Sequence, residues 1–193
     1  MRLQSSRAVV GTTRVLLPEG ALGAGRLYSE SEFELSALQA LRGGLMEVGR
    51  TCIDPAHRHG AVLRLLWQGL GHCLQSNGLQ TLLGCTSVPV HDGGRLAVSA
   101  YWQCQRAGLV SPDWAVRPHR GLPFDWWAQK GPDLPMPALL QGYLRMGARI
   151  CGQPAWDPQF GCADFLTLLH RENLSERHGR RFLRRPLNQS VEG

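Results

Sequence analysis

Between Leu45 and Asn77 the chain changes its hydrophobic period with almost nothing spare in between. LMEVGRTCI (45–53) is apolar and suited to a strand, Asp54-Pro55 stops it, and a short basic turn leads to Gly60. From Ala61 to Ser76 the apolar residues Val62, Leu63, Leu66, Trp67, Leu70, Cys73 and Leu74 recur at helical spacing, and Asn77-Gly78 closes the helix. A further apolar strand, Leu79 to Val88, follows at once. Strand, helix and strand in such close succession suggest a parallel crossover unit.

The flanks fit around this unit. Ala8 to Leu17 reads as a strand stopped by Pro18, and the Gly-rich run 19–25 as a loop. A short helix is expected within Glu30 to Leu41, capped by Ser29 or Ser31. Arg95 to Ala107 reads as a second helix, ended by Gly108. Val110 to Pro137 is rich in Pro, Trp and charge and is expected to be a long connection. A short helix at Ala138 to Ala148 and a strand at Asp164 to Leu169 complete the reading. The 193 residues are expected to form one α/β domain, and their apolar content of 43% suffices for a core.

No apolar run reaches the roughly eighteen residues of a membrane helix. Gln4, Ser5, Ser6 and Arg7 interrupt any leader-like stretch, so a cytoplasmic setting is expected. Six cysteines without CxxC spacing argue against zinc and for a reduced chain, with Cys52, Cys85 and Cys104 as small core residues. The net charge of +6 suits three kinds of partner: nucleic acid, an anionic membrane or an acidic protein. Part of it lies in the Arg-rich run 176–185, either a solvated tail or an electrostatic dock. Nucleic acid is disfavoured, because Phe182 is the sole aromatic available there for stacking on bases.

Several side chains stand out chemically. Glu47 and Arg50 are three apart in a strand and point to opposite faces unless a bulge intervenes. They form either a structural ion pair or part of a site. The turn 55–61 ends at a helix N-terminus, where open amides, Arg58 and the close backbone approach allowed by Gly60 favour an anion. His57 and His59 lack metal-ligand spacing and read as solvent-facing. Tyr101 shares a helix side with Ala97 and Cys104, as a core aromatic or as a phenolic acid. Asp157 belongs to a rigid loop with Trp156, and Asp164 begins the last strand as a cap or an edge charge.

In order along the chain, VVGTTRVLLP, YSESEFELSAL, EVGRTCIDPAHRHGAVLRLLWQGL, GCTSV and LLQGYLRMGARICGQPAWDPQFGCADFLTLL resemble the L-ornithine Nα-acyltransferases. These belong to the GCN5-related N-acetyltransferase fold, and the likeness runs from about Arg7 to Leu183, with 184–193 as a tail. The Arg14 position and Glu47-x-x-Arg50 are also similar to the acyl-homoserine-lactone synthases. The resemblance implies a mixed α/β sheet flanked by helices, with the family's N-terminal strand and helices missing from this chain. It implies transfer of a 3-hydroxyacyl group from acyl carrier protein to the α-amine of ornithine. The alternatives are an N-acyl amino acid synthase using another amine, or an inactive truncated remnant.

The same resemblance assigns roles. Glu47 would be the base and ammonium anchor, Arg50 would orient it or bind the substrate carboxylate, and Arg14 would do the same from the neighbouring strand. Strand amides near Cys52 would face the oxyanion, and Tyr101 would protonate the leaving thiolate. Asp157 or Asp164 would bind the side-chain ammonium of ornithine. No metal or bound cofactor is implied, since the donor is the acyl-phosphopantetheine of the carrier. Acetyl-CoA-binding relatives carry (Gln/Arg)-x-x-Gly-x-(Gly/Ala), where this chain has His57-Arg-His-Gly60-Ala-Val62. One phosphodiester of phosphopantetheine needs fewer open amides than a pyrophosphate, so a single Gly with Arg58 suffices. An acidic carrier would be steered by the net positive charge. Peripheral contact with an anionic membrane would suit the same charge.

Overall fold

The computed structural model describes residues 1–3, 7–58, 60–129, 131–174, Gly179 and Phe182. His59, the arginines of the 176–185 run and the 184–193 tail lie outside the described residues. The strands are β1 (Gly11–Leu16), β2 (Phe33–Glu34), β3 (Leu45–Ile53), β4 (Thr81–Pro89), β5 (Arg117–Pro118), β6 (Arg149–Ile150), β7 (Ala155–Asp157) and β8 (Cys162–His170). The helices are α1 (Pro18–Ala24), α2 (Ala61–Ser76), α3 (Arg95–Arg106), α4 (Phe124–Trp127) and α5 (Ala138–Met146). Among the described residues no helix is long and apolar enough to cross a membrane.

The main sheet has the order β1-β3-β4-β8-β6, with β7 also paired to β8. The β3–β4 pair is parallel and is bridged by α2, as the strand–helix–strand reading requires, while β1–β3 and β4–β8 are antiparallel. On one face α2 packs Leu70 and Leu74 against Met46, Leu82 and Leu169. On that same face α3 and α5 bury Val98, Tyr101 and Leu140 against Val88, Ala163 and Phe165. The opposite face carries Leu45, Leu83, Leu166 and Leu168, covered by Leu27, Phe33, Leu35 and Leu38. β8 is buried along nearly its whole length because both faces are covered.

Three expectations change. The Gly-rich run forms α1, started by Pro18 at its first turn and stopped by Gly25 in a left-handed conformation. The expected 30–41 helix becomes a 3-10 turn at Tyr28–Ser31 and a longer 3-10 segment at Ser36–Gly44. Asp157 sits in a short strand rather than a loop, and Asp164 lies inside a central strand, not at its edge.

The β3–β4 pairing is short. It covers Leu45–Thr81, Met46–Leu82 and Glu47–Leu83 and then stops, although both strands continue for six more residues. Gly84 follows the last pair, and a Cβ there would lie 2.6 Å from the carbonyl oxygen of Val48. Close approach at this point therefore depends on the missing side chain. Gly84→Ala is expected to cost about 1–3 kcal/mol by overpacking, seen as a lower urea midpoint at constant slope. An unshifted midpoint would show that the strands part without needing the glycine.

Candidate active site

Where β3 and β4 part, a cavity of about 430 Å³ opens through the sheet. Val48 to Cys52 form one lip and Gly84 to Ser87 the other. On the α2 side its wall is apolar, built from Leu63, Leu66, Trp67, Leu70 and Tyr143. On the opposite side it meets Tyr28, Ser29, Glu47, Cys85 and Asp164. A second cavity, of about 340 Å³, adjoins that polar end and is lined by Asp157, Phe160 and Cys162 among others.

A β-bulge brings the two charges of Glu47-x-x-Arg50 together. β1 advances two residues from Thr12 to Arg14 while β3 advances three from Gly49 to Cys52. The extra residue reverses the alternation, and Arg50 takes φ +53. A left-handed backbone costs a non-glycine residue ~1–2 kcal/mol. Arg50 then stacks its guanidinium carbon 5.3 Å from the centroid of the Tyr28 ring and 6.0 Å from that of Phe160. Arg14 lies 5.7 Å from the same Tyr28 centroid. Arg50 makes no ion pair among the described residues, so its donors remain open to a ligand.

Glu47 is 2% exposed, and its carboxylate is occupied. Oε2 accepts the Tyr28 N–H at 2.7 Å, and Oε1 accepts the Ser29 N–H at 2.8 Å and the Ser29 hydroxyl at 2.6 Å. Arg14 Nη2 stands 3.8 Å from Oε2. The carboxylate thus caps the 3-10 turn from outside and holds the Tyr28 backbone. Glu30 secures the same turn by accepting the Leu27 N–H and pairing with Arg42.

Three acids gather at the polar end. Asp157 Oδ1 accepts the amides of Gln159 and Phe160 at 2.8 and 3.1 Å. Asp164 Oδ1 accepts the hydroxyl of Ser87 and, at 3.8 Å, the thiol of Cys162. Burial pushes the Asp164 carboxyl above the ordinary aspartate range; Ser87 pulls it back and Asp157 raises it further. Glu32, which gave no signal in the sequence beyond an acid-rich stretch, is also raised, by burial and by the charges of Asp164 and Asp157. Asp157, Cys162 and Asp164 offer donor atoms within 4.8 Å of one another. Burial pushes the Cys162 thiol up to about 11, and it is engaged as a donor to Asp164. The two carboxylates leave this end of the cleft rich in hydrogen-bond acceptors.

Other expected residues fall elsewhere. Tyr101 is 8% exposed, packs edge-on against Trp102 and Trp127, and lines neither cavity. Its helix side faces core, set apart from the residues that line the two cavities. Arg58 donates Nε to the Ile53 carbonyl at 3.2 Å, and neither it nor Gly60 lines the cavities. Gly60 has φ +89 and starts α2 without a side-chain cap, so the first amides of the helix keep no side-chain acceptor among the described residues. Asp54 caps the 55–57 turn and pairs with His57 at 3.3 Å, so His57 is engaged rather than free in solvent. All six cysteines are free thiols, but Cys52 is exposed at the cleft rather than in the core. Phe182 is buried against Trp67 and is not presented for base stacking.

The model of the acetyltransferase (GNAT) domain matches residues 1–68. The L-ornithine N(alpha)-acyltransferase of Brucella abortus is 32% identical over 181 residues, covering 88% of this chain and 63% of that protein. The enzyme of the same name from Rhodobacter capsulatus is 30% identical over 183 residues, covering 92% and 70%. The chain thus spans about two thirds of the length of these relatives. A solved acyl-homoserine lactone synthase that depends on coenzyme A aligns at a TM-score of 0.45 and 13% identity, over 98% of this chain and 64% of that one.

The Glu47 contacts make a local prediction. In Glu47→Gln one oxygen becomes an amide that faces N–H donors, leaving buried groups unpaired at a cost of about 1–3 kcal/mol. Hydrogen exchange at the Tyr28 and Ser29 amides should accelerate before global unfolding. Unchanged protection would mean that Glu47 does not hold the turn.

Proposed function

The chain belongs to the L-ornithine Nα-acyltransferase family, and on that footing we propose that it moves an acyl group from a thioester to the α-amine of ornithine. The observation that carries this reading is the cleft through the sheet, apolar on the α2 side and charged on the other. A thioester that enters from the α2 side and an amine from the opposite side meet between the parted strands. Neither reactant has to pass the other, and the acyl chain finds Leu63, Leu66, Trp67 and Leu70 along its route.

In this mechanism Arg50, backed by Arg14, binds the α-carboxylate of the amino acid as a charge-assisted pair. Asp157 and the field of Glu32 attract the distal ammonium of ornithine, which a neutral side chain would not repay. Past Glu47, β3 has no strand partner on the β4 side, so amides near Cys52 can face the carbonyl oxygen of the thioester. The donor is acyl-phosphopantetheine on acyl carrier protein. Its single phosphate suits the uncapped start of α2 beside Arg58, and the chain's +6 charge favours an acidic carrier.

The test follows release of carrier thiol when the protein meets 3-hydroxyacyl carrier protein and ornithine. Arg50→Lys loses the planar fork and should lower kcat/KM for ornithine roughly 10- to 100-fold, with the KM of the carrier little changed. Asp157→Asn should lose more with ornithine than with norvaline, its neutral counterpart. Absence of thiol release with every amino acid tried would remove the reading.

A further inference from the structure

Tyr28, Arg50, Ser87 and Asp164 line both the cleft through the sheet and the outer cavity. A molecule passing from one space to the other crosses these four side chains. Asp164 is their sole carboxylate and is 3% exposed. Its Oδ1 carries both of its hydrogen bonds, from Ser87 and Cys162, and Oδ2 accepts none from the described residues. Every enclosed side-chain oxygen and nitrogen among the described residues has a partner. Oδ2 is therefore not enclosed, and its residue lines both spaces. Glu47 differs in kind, because both of its oxygens are held by the Tyr28–Ser29 turn.

We propose that Asp164, through Oδ2, is the base that takes the proton of the attacking ammonium, and that Glu47 is a positioning residue that holds Tyr28 and its turn. This rests on the acyl-transfer reading above. The groups that face Asp164 are Ser87 and Cys85 from β4, Cys162 on β8, Asp157 from β7, Glu32 and Tyr28 from the 28–34 segment, and Arg50 from β3. Burial and Asp157 hold the carboxyl above the usual range, which brings its proton affinity nearer to that of an amine.

The ammonium gives one proton to Oδ2. The freed lone pair attacks the thioester carbonyl carbon, the C–N bond forms and the carbonyl electrons move to oxygen. The tetrahedral intermediate collapses, the C–S bond breaks, and the thiolate leaves with the bonding pair. The second amine proton ends on sulfur, and Asp164 returns its proton to solvent. One thioester and one ammonium become one amide, one thiol and one solvent proton.

The experiment is the pH profile of kcat/KM for ornithine with 3-hydroxyacyl carrier protein, for wild type, Asp164→Asn, Ser87→Ala and Glu47→Gln. Asp164→Asn should fall roughly 100-fold or more and lose the acid limb of the profile. Ser87→Ala removes a hydrogen bond that favours the charged form, so its limb should move to higher pH. Hydroxylamine, unprotonated at neutral pH, should narrow the gap between Asp164→Asn and wild type, which a collapsed pocket would not allow. An intact limb in Asp164→Asn, or its loss in Glu47→Gln instead, overturns the assignment while acyl transfer stands. No thiol release by wild type overturns both.

Discussion

A parallel strand pair that stops bonding halfway sets the terms for the rest of this molecule. β3 and β4 share three residue pairs and then separate. A gap in a sheet core would ordinarily leave a row of unmatched amides and carbonyls, which is costly away from water. Here the neighbours absorb the cost. β1 keeps β3 bonded on its far edge, and β8 pairs with every residue of β4 from Thr81 to Pro89. The cleft is therefore framed by two strands that are each anchored on the outside and open on the inside. That arrangement gives a small α/β chain a passage from one face of its sheet to the other without giving up its core.

The electrostatics follow from which face is covered by what. The α2 side of the cleft is lined by leucine and aromatic side chains, so it offers nothing to a charge. The opposite face is covered by the 27–44 segment, whose start is pinned by the carboxylate of Glu47. Because one buried acid supplies the acceptors for that turn, the segment can present the Tyr28 ring to two guanidinium groups. Arg50, Asp157 and Asp164 then lie within one small region, with opposite charges at hand for the two ends of a zwitterion. The side on which Arg50 joins this end is thus a consequence of how a nine-residue strand is bent at a single position.

Much of this was legible in the residues, and the failures have physical causes. The helix 61–76 and its flanking strands follow from hydrophobic period alone, because burial on one face dictates that period. The bulge could be named as a condition but not located, since it depends on counting β1 against β3, which no local pattern records. β6 and β7 are two and three residues long, too short for any alternation to be read. Tyr101 obeyed its helical side faithfully, and that side is core. Asp157 and Asp164 looked like loop and edge charges, because the turn between β7 and β8 that stacks them is visible only once the strands pair. Glu32 had no signal of its own; its role is a matter of which acids surround it.

The left-handed backbone of Arg50 sets two kinds of selection against each other. Glycine adopts that conformation without strain, so replacing the arginine would relax the chain at the very point where the strand bends. A search guided by thermal resilience should therefore drift toward glycine or asparagine at this position. Lineages under demand for turnover should retain the guanidinium and tolerate the strain. Variation at residue 50 across related chains would then serve as a record of which demand each one has met.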